Sequence, residues 1–324
     1  MKDLSIIIVS WQVKDCLSRC LDSIRKASPQ LEYEVIVVDN ASRDGSAALV
    51  RNDYDWVLLL ENPRNEGFAA ASNRALKESR GRYLLLLNPD TVVPPGSLEE
   101  MVGFLDARSA AGAGGGRLLN PDGSGQPSVR AFPSFKSSLQ QFTILGDLGL
   151  FRRVRRRYLM RLFDYSQPAL VDQPMGAALF LRKEVIEKAG LLDEDFFLYF
   201  EEVDLCYRLR EVGYEIWYNP ACRIIHYGGL SSEQAGGRAL FWLLKSQLLY
   251  LSKHSSPAAF SRFRLIFKPL LTAGLLCDLV CGSLSLGGRW LTFAPSDKLK
   301  TKKERLRKKW SFIRTDLLKL LIDC

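Results

Sequence analysis

The run Tyr83-Leu84-Leu85-Leu86-Leu87-Asn88-Pro89-Asp90-Thr91 begins apolar enough for a strand buried on both faces, and it stops on an amide and a carboxylate. Ligands of open parallel α/β sheets bind beyond the carboxyl ends of the strands, so an acid placed there faces a ligand or metal rather than the core. Asp90 is therefore a candidate metal or ligand residue. Two earlier apolar runs end the same way, one on Ser10 and one on Asp39-Asn40. Asp39 suits a base imide or a ribose hydroxyl, and equally the capping of the next helix, because Asn40 to Asp44 offers good N-cap residues. Asn62-Pro63-Arg64-Asn65-Glu66-Gly67-Phe68 reads as a turn. Its Gly67 permits a phosphate or sugar to approach the following helix N-terminus.

A second group of acids lies at Phe200-Glu201-Glu202-Val203-Asp204-Leu205, with Arg208 four residues after Asp204. On a helix Glu201 and Asp204 share a face and Glu202 points elsewhere, so the three acids cannot do one job. Asp204 with Arg208 is most simply an i,i+4 ion pair. Acids at a helix start are also favoured by the helix dipole alone. The aromatic run Phe196 to Phe200 would partly bury them, raising a carboxylate pKa towards the range that suits a general base. Of the two histidines, His226 closes an apolar strand and His254 sits in a polar linker. A strand-end histidine is commonly structural. A neutral imidazole also partners a carboxylate on Mg²⁺ or Mn²⁺ when a diphosphate supplies further oxygens.

Positioning these groups takes a sheet. Leu4 to Ser10, Glu34 to Asp39, Trp56 to Leu60 and Tyr83 to Asn88 are strand-like, and the segments between them are long enough for helices, the pattern of βαβ units. Leu17, Leu21 and Ile24 form a helical stripe, and Ala69 to Ser79 and Ser97 to Asp106 are predicted as further helices. Ala110 to Pro133, rich in Gly and Pro around Asn120-Pro121-Asp122-Gly123, predicts a hairpin and then a mobile stretch. Val171 to Leu181 predicts a strand, Phe196 to Arg210 a helix, and Glu215 to Tyr218 and Cys222 to His226 two short strands.

The chain has 324 residues, 47% hydrophobic and 25% charged, which excludes disorder and leaves room for a large α/β domain with an appendage. Its net charge is +9, yet residues 231–324 alone hold 17 Lys+Arg against 6 Asp+Glu. The basic character belongs to the C-terminal third, beside long aliphatic runs. That placement points to an anionic membrane surface rather than to nucleic acid. Lys298 to Lys309 is the polybasic cluster expected against such lipid, the alternative being a solvated tail. Residues 269–288 carry one charge, Asp278, which disfavours a simple transmembrane helix and fits interfacial or re-entrant helices better. Arg152, Arg153, Arg155, Arg156 and Arg157 read as a solvated helix face or as a phosphate-contacting surface. Seven cysteines without a Cys-x-x-Cys pair, and a start without an apolar leader, fit a reduced cytoplasmic protein.

In order along the chain stand Val9-Ser10-Trp11, Val37-Val38-Asp39-Asn40-Ala41-Ser42, Asn65-Glu66-Gly67-Phe68 with Asn73, and Leu87-Asn88-Pro89-Asp90. Gly176-Ala177-Ala178, Phe197-x-Tyr199-Phe200-Glu201-Glu202-x-Asp204-Leu205 and His226-x-Gly228-Gly229 follow. Together they resemble the family 2 inverting glycosyltransferases of the GT-A fold, rhamnosyltransferase-like branch. The resemblance implies an α/β GT-A domain over residues 1–230 and a helical, basic, membrane-associating region over 231–324. It implies a nucleotide-diphospho-sugar site of Ser10, Asp39, Asn65, Gly67, Asn73, Asn88 and Asp90, with Asn88 replacing the usual first acid of Asp-x-Asp. Mg²⁺ or Mn²⁺ would sit on Asp90 and His226, Glu202 would be the catalytic base, and Gly176 and Glu201 would lie on the acceptor side. The donor implied is dTDP-L-rhamnose, with UDP- or GDP-linked sugars as alternatives. The acceptor implied is a saccharide or polyprenyl-diphosphate-linked saccharide at the inner face of the plasma membrane. A nucleotidyltransferase would show a Gly-rich phosphate loop, which Ser10 to Asp15 lacks. A non-enzymatic nucleotide-sugar-binding scaffold is the reading that Asn88 and Glu202 leave open.

Overall fold

The computed structural model describes residues 2–27, 30–228, 237–289, 316, 317 and 320. The chain forms two compact units, residues 1–132 with 159–234 and residues 133–158 with 235–324. In the first, β1 (Lys2–Ser10), α1 (Lys14–Ala27), β2 (Tyr33–Asp39), α2 (Ser46–Asp53), β3 (Val57–Glu61), α3 (Phe68–Glu78) and β4 (Gly81–Leu87) alternate as predicted. Strands β3, β2, β1 and β4 are neighbours and parallel. Register pairs Ser10 with Asp39 and Asp39 with Glu61, so the polar tips fall on one edge. Leu4, Ile6, Ile7 and Ile8 of β1 are at most 1% exposed, because helices cover both faces of this sheet. Leu17, Leu21 and Ile24 of α1 pack on one face and Ala71, Ala75 and Leu76 of α3 on the other.

After β5 (Thr91–Val92) and α4 (Ser97–Asp106) the chain enters β6 (Ala111–Leu119) and β7 (Val129–Arg130). Three short helices of the second unit intervene, α5 (Phe135–Phe142), α6 (Ile144–Asp147) and α7 (Arg152–Tyr158). The first unit resumes with β8 (Ala169–Leu170), β9 (Gln173–Pro174), β10 (Ala178–Arg182), α8 (Lys183–Ala189), α9 (Glu201–Glu211) and β11 (Glu215–His226). The main sheet runs β3-β2-β1-β4-β10-β6-β11-β5, with β8 also on β11, and it turns mixed where β10 pairs antiparallel with both β4 and β6.

Four local expectations are corrected. The Gly-rich segment predicted to open a hairpin is a nine-residue strand inside the main sheet, β6, and only its end forms the hairpin, turning at Asn120–Gly123 to bridge Leu119 with Gly125. Its glycines are bare because neighbours occupy their side-chain space: a Cβ on Gly115 would fall 2.3 Å from Pro174, and one on Gly116 would fall 2.5 Å from the Cys222 carbonyl. Val171 to Leu181 is broken at Met175–Ala177, since β9 pairs with β7 in a separate ribbon while β10 joins the main sheet. The two short strands expected between Glu215 and His226 are one strand with a register shift between Asn219 and Arg223. The helix predicted over Phe196 to Arg210 starts only at Glu201, because Tyr199 (φ 68°) and Phe200 (φ 72°) are left-handed.

In the second unit, Ser134 and Ser137 form a reciprocal capping box at the start of α5. Helix Pro257–Arg289 buries Phe263, Phe267, Leu271 and Leu275, a stripe at i+4 spacing. Phe263 stacks on Phe135 with ring centroids 4.6 Å apart. Helix Gly237–Lys253 presents Gln247, whose Nε2 donates to Ser138 Oγ at 2.6 Å. No helix among the described residues is long and apolar enough to cross a membrane. Lys298 to Lys309 and Gly229 lie outside the described residues.

Candidate active site

The polar edge of the sheet is built from β1 and β2 first. Asp39 Oδ2 accepts from the Ser42 amide at 2.9 Å, closing a turn ahead of α2 rather than capping that helix, whose N-cap is Gly45, while Oδ1 has no hydrogen-bond partner among the described residues although Asp39 is 3% exposed. Ser10 Oγ, paired in register with Asp39, is likewise buried without a partner. A buried polar atom left unpaired costs about 1–3 kcal/mol, so two adjacent ones mark a place shaped for a hydrogen-bonding ligand.

Asn40, a residue the sequence reading quoted but gave no role, organises the neighbouring loop. Its Nδ2 donates to Asn65 Oδ1 (2.9 Å) and to the Gly67 carbonyl (3.1 Å), and its Oδ1 accepts from Asn62 Nδ2 (2.9 Å) and the Glu66 amide (3.0 Å). Asn65 Oδ1 also accepts from the Gly67 amide at 3.0 Å. The close approach at Gly67 is made by protein: a Cβ there would lie 2.5 Å from the Phe197 carbonyl, which accepts from the Phe68 amide at 2.8 Å. Gly67 therefore joins this loop to the aromatic segment. Asn73 is held by the protein as well. Its side chain exchanges hydrogen bonds with the backbone of Leu192 (2.8 and 3.0 Å) and donates to Glu194 Oε1 (2.9 Å), leaving no donor for a sugar.

Beyond β4, the Asn88 amide donates to the Ala177 carbonyl at 2.9 Å, which seats the start of β10 beside Asn88-Pro89-Asp90. Asp90 is 5% exposed, its Oδ1 is 3.4 Å from His226 Nε2, and its carbonyl accepts from the Tyr227 amide at 2.9 Å. Strand β5 carries this pair, matching His226 with Thr91 across the ladder. His226 Nδ1 lies 3.0 Å from Gln126 Oε1. Gln126 Nε2 donates to the His226 carbonyl (2.6 Å) and to Asn120 Oδ1 (2.7 Å), which fixes which end of the amide faces the ring. An amide oxygen only accepts, so Nδ1 carries a hydrogen and Nε2 is the ring nitrogen turned towards Asp90. Nothing in the sequence ties Gln126 to a histidine one hundred residues away. No group of three or more metal-ligating side chains occurs among the described residues. Asp90 with Nε2 of His226 fits a cation that takes its other oxygens from a diphosphate and water.

Glu201 and Glu202 open α9. Glu201 is buried and Glu202 half-buried, each with an Oε2 that is out of solvent and has no partner among the described residues. Burial pushes the Glu201 carboxyl well above the usual carboxylate range, and the neighbouring Glu202 charge pushes it further. Burial also raises Glu202, but backbone amides of Glu202, Val203, Gly176 and Phe200 oppose the rise. Gly176 is needed here for space, since a Cβ would sit 3.1–3.2 Å from Glu202 Cγ, Cδ and Oε1. The series Asn88, Ala177, Gly176, Glu202 brings the acid of α9 to the tip of β4. Asp204 forms the expected pair with Arg208, Nε to Oδ2 2.7 Å, and Arg208 also donates to the carbonyl of Leu191 at 2.8 Å and to that of Ala189.

A mixed α/β sheet thus presents unpaired polar groups, an Asp–His pair and a raised-pKa glutamate at the ends of its elements. A family model for glycosyl transferase family 2 matches residues 5–182, and the chain belongs to that family. It is a glycosyltransferase. The chain is 28% identical over 264 residues, 78% of its own length and 85% of the relative's, to an N-acetylglucosaminyl-diphospho-decaprenol L-rhamnosyltransferase of Mycobacterium tuberculosis. It is 25% identical over 272 residues to rhamnosyltransferase WbbL of Escherichia coli, covering 82% of this chain and 99% of that protein. Among solved structures, a mannosyltransferase of Pyrobaculum calidifontis in complex with GDP-Man and Mn²⁺ superposes with a TM-score of 0.58 at 18% identity, covering 97% of this chain and 88% of the other. GalNAc-T7 with UDP, GalNAc and Mn²⁺ gives 0.55 at 16% identity, covering 78% and 48%. The fold is GT-A, as expected.

Proposed function

We propose that the chain transfers L-rhamnose from dTDP-L-rhamnose, with inversion, to a saccharide or polyprenyl-diphosphate-linked saccharide in the synthesis of a bacterial cell-surface polysaccharide. The observation that supports this reading is Glu202, half-buried and raised in pKa, packed on Gly176 in the segment whose Ala177 carbonyl accepts from Asn88. Glu202 takes the proton of the acceptor hydroxyl as that oxygen bonds to the anomeric carbon, and the departing pair of electrons leaves with the nucleoside diphosphate. Ser10 and Asp39 Oδ1 meet the nucleoside, and Glu201, neutral beside the base, faces the acceptor. Asp90 and His226 would hold Mg²⁺ or Mn²⁺, which when bound offsets the charge of the leaving diphosphate. The rhamnosyltransferase names of the two relatives support the donor, and the decaprenol-linked substrate in one of those names supports a lipid-linked acceptor. The GDP-Man and UDP complexes of the structural neighbours keep GDP- and UDP-sugars as the alternative donors. The apolar C-terminal helices and Lys298 to Lys309 support a peripheral position on the cytoplasmic leaflet, where each cation contributes about 1 kcal/mol.

The test is a donor panel of dTDP-rhamnose, UDP- and GDP-sugars with purified protein, a divalent cation and membrane extract. Transfer from dTDP-rhamnose is expected, and absence of transfer or hydrolysis with every donor would sink the enzyme reading. Asp90→Ala should abolish cation-dependent donor binding. Glu202→Gln should leave that binding intact and lower turnover by roughly 10²–10⁴-fold.

A further inference from the structure

The second unit leaves apolar side chains in solvent out of proportion to its size. Of the eleven large hydrophobic residues exposed among the described residues, six belong to it: Leu148, Leu150, Phe151, Leu265, Ile266 and Leu276. Three of these are nearly consecutive and lead directly into α7. Leu148 is 67%, Leu150 48% and Phe151 43% exposed, and Arg152, Arg153, Arg155, Arg156 and Arg157 follow, all exposed. No Asp or Glu occurs from residue 148 to residue 163. None of the five guanidiniums forms an ion pair with a described carboxylate.

The backbone holds this apolar tip outward. Gly149 (φ 74°) and Phe151 (φ 57°) are both left-handed, and the Arg152 guanidinium fills the space beside Gly149, where a Cβ would lie 2.7 Å from it. A solvated basic helix needs arginines alone, whereas here exposed leucine and phenylalanine lead into them. Leucine and phenylalanine at the tip with a dense band of arginine behind is the combination that enters a headgroup layer, with the apolar groups reaching the acyl boundary and the guanidiniums meeting phosphate oxygens.

We propose that residues 148–157 are a docking surface for anionic phospholipid, distinct in sequence from the Lys298 to Lys309 cluster. This surface deepens the membrane-facing part of the function given above and rests on that part alone; the chemistry at Glu202 does not depend on it. It would give the enzyme a fixed contact with the leaflet that carries a lipid-linked acceptor. Each cation near such a surface raises binding roughly fivefold.

The experiment is flotation of the full-length protein with phosphatidylglycerol or phosphatidylcholine vesicles, for the wild type and two variants. One variant is Leu148→Ser/Leu150→Ser/Phe151→Ser, and the other is Arg153→Ser/Arg155→Ser/Arg156→Ser/Arg157→Ser. The wild type should float with phosphatidylglycerol only. The arginine variant should bind at least about a hundredfold more weakly. The apolar variant should also lose most of its binding, though its charge is unchanged. Either variant floating like the wild type overturns the proposal. If only the arginine variant is impaired, the surface takes a water-soluble polyanion and the lipid assignment fails. Donor binding and the unfolding temperature, measured without vesicles, should match the wild type in both variants. Loss of donor binding in the wild type itself would sink the proposed function and leave the vesicle result standing.

Discussion

At Glu201 and Glu202 the same burial has opposite consequences. Both carboxyls are raised, and several backbone amides oppose the rise at Glu202, which suits it to the proposed role of base beside a protonated Glu201. Turnover should rise with pH along a limb set above the ordinary carboxylate range, and that apparent pKa belongs to the pair. Glu201→Gln mimics the neutral neighbour, so the limb should stay in place while Glu202→Gln removes activity; exchanged phenotypes in pH-rate profiles would reverse the assignment. Stability gives an independent check. A carboxyl raised in the fold holds its proton where the unfolded chain has lost it, so its contribution is present below the unfolded value near 4.5 and fades as pH climbs through the folded one. Glu201→Gln should therefore melt higher than the wild type at neutral pH and equally at acid pH. Gln126 offers a third measurement. Its amide oxygen fixes the tautomer of His226, so Gln126→Leu should weaken cation binding about 10–100-fold and redistribute the ¹⁵N shifts of the imidazole. An unchanged His226 spectrum would show that the amide sets nothing.

Among the elements, Arg208 links α9 to the turn after α8. Asp204 is 2% exposed, and one guanidinium pairs with it while donating to the carbonyls of Ala189 and Leu191. Removing one partner of a buried pair typically costs about 3–5 kcal/mol, so Arg208→Met should lower unfolding stability by about 3 kcal/mol. Arg208→Lys should recover little, because a single ammonium cannot reach all of those oxygens; full recovery in denaturant titrations would contradict this account. Parallel strands β1 to β4 and helices α1, α3 and α4 were legible because their periodicity comes from burial itself. Strand β6 was hidden because its glycines answer to Pro174 and Cys222, residues distant in sequence. The five-residue aromatic stretch before α9 was hidden for a related reason: apolar periodicity marks burial but not the left-handed turn at Tyr199 and Phe200. Asp90, Glu202 and His226 were visible as chemistry at element ends. Gln126 and the restraint on Gly67 arise from tertiary contacts that leave no local mark.

On the scale of the whole molecule, the second unit is assembled from two stretches of chain, 133–158 and 235–324. Phe135 stacks on Phe263, and Ile144 lies where Gly274 leaves no room for a side chain. A protein ended at residue 235 keeps α5 and α6 but loses the helices that cover them. It should pellet on ultracentrifugation and bind hydrophobic dye, whereas a soluble, dye-free monomer would show that the helices are dispensable. The same arrangement sets a schedule for synthesis. Roughly 80 residues separate Tyr158 from Gly237, which at 5–20 residues per second is about 4–16 s of translation. For a delay of that length the apolar side of α5 precedes its cover on the nascent chain.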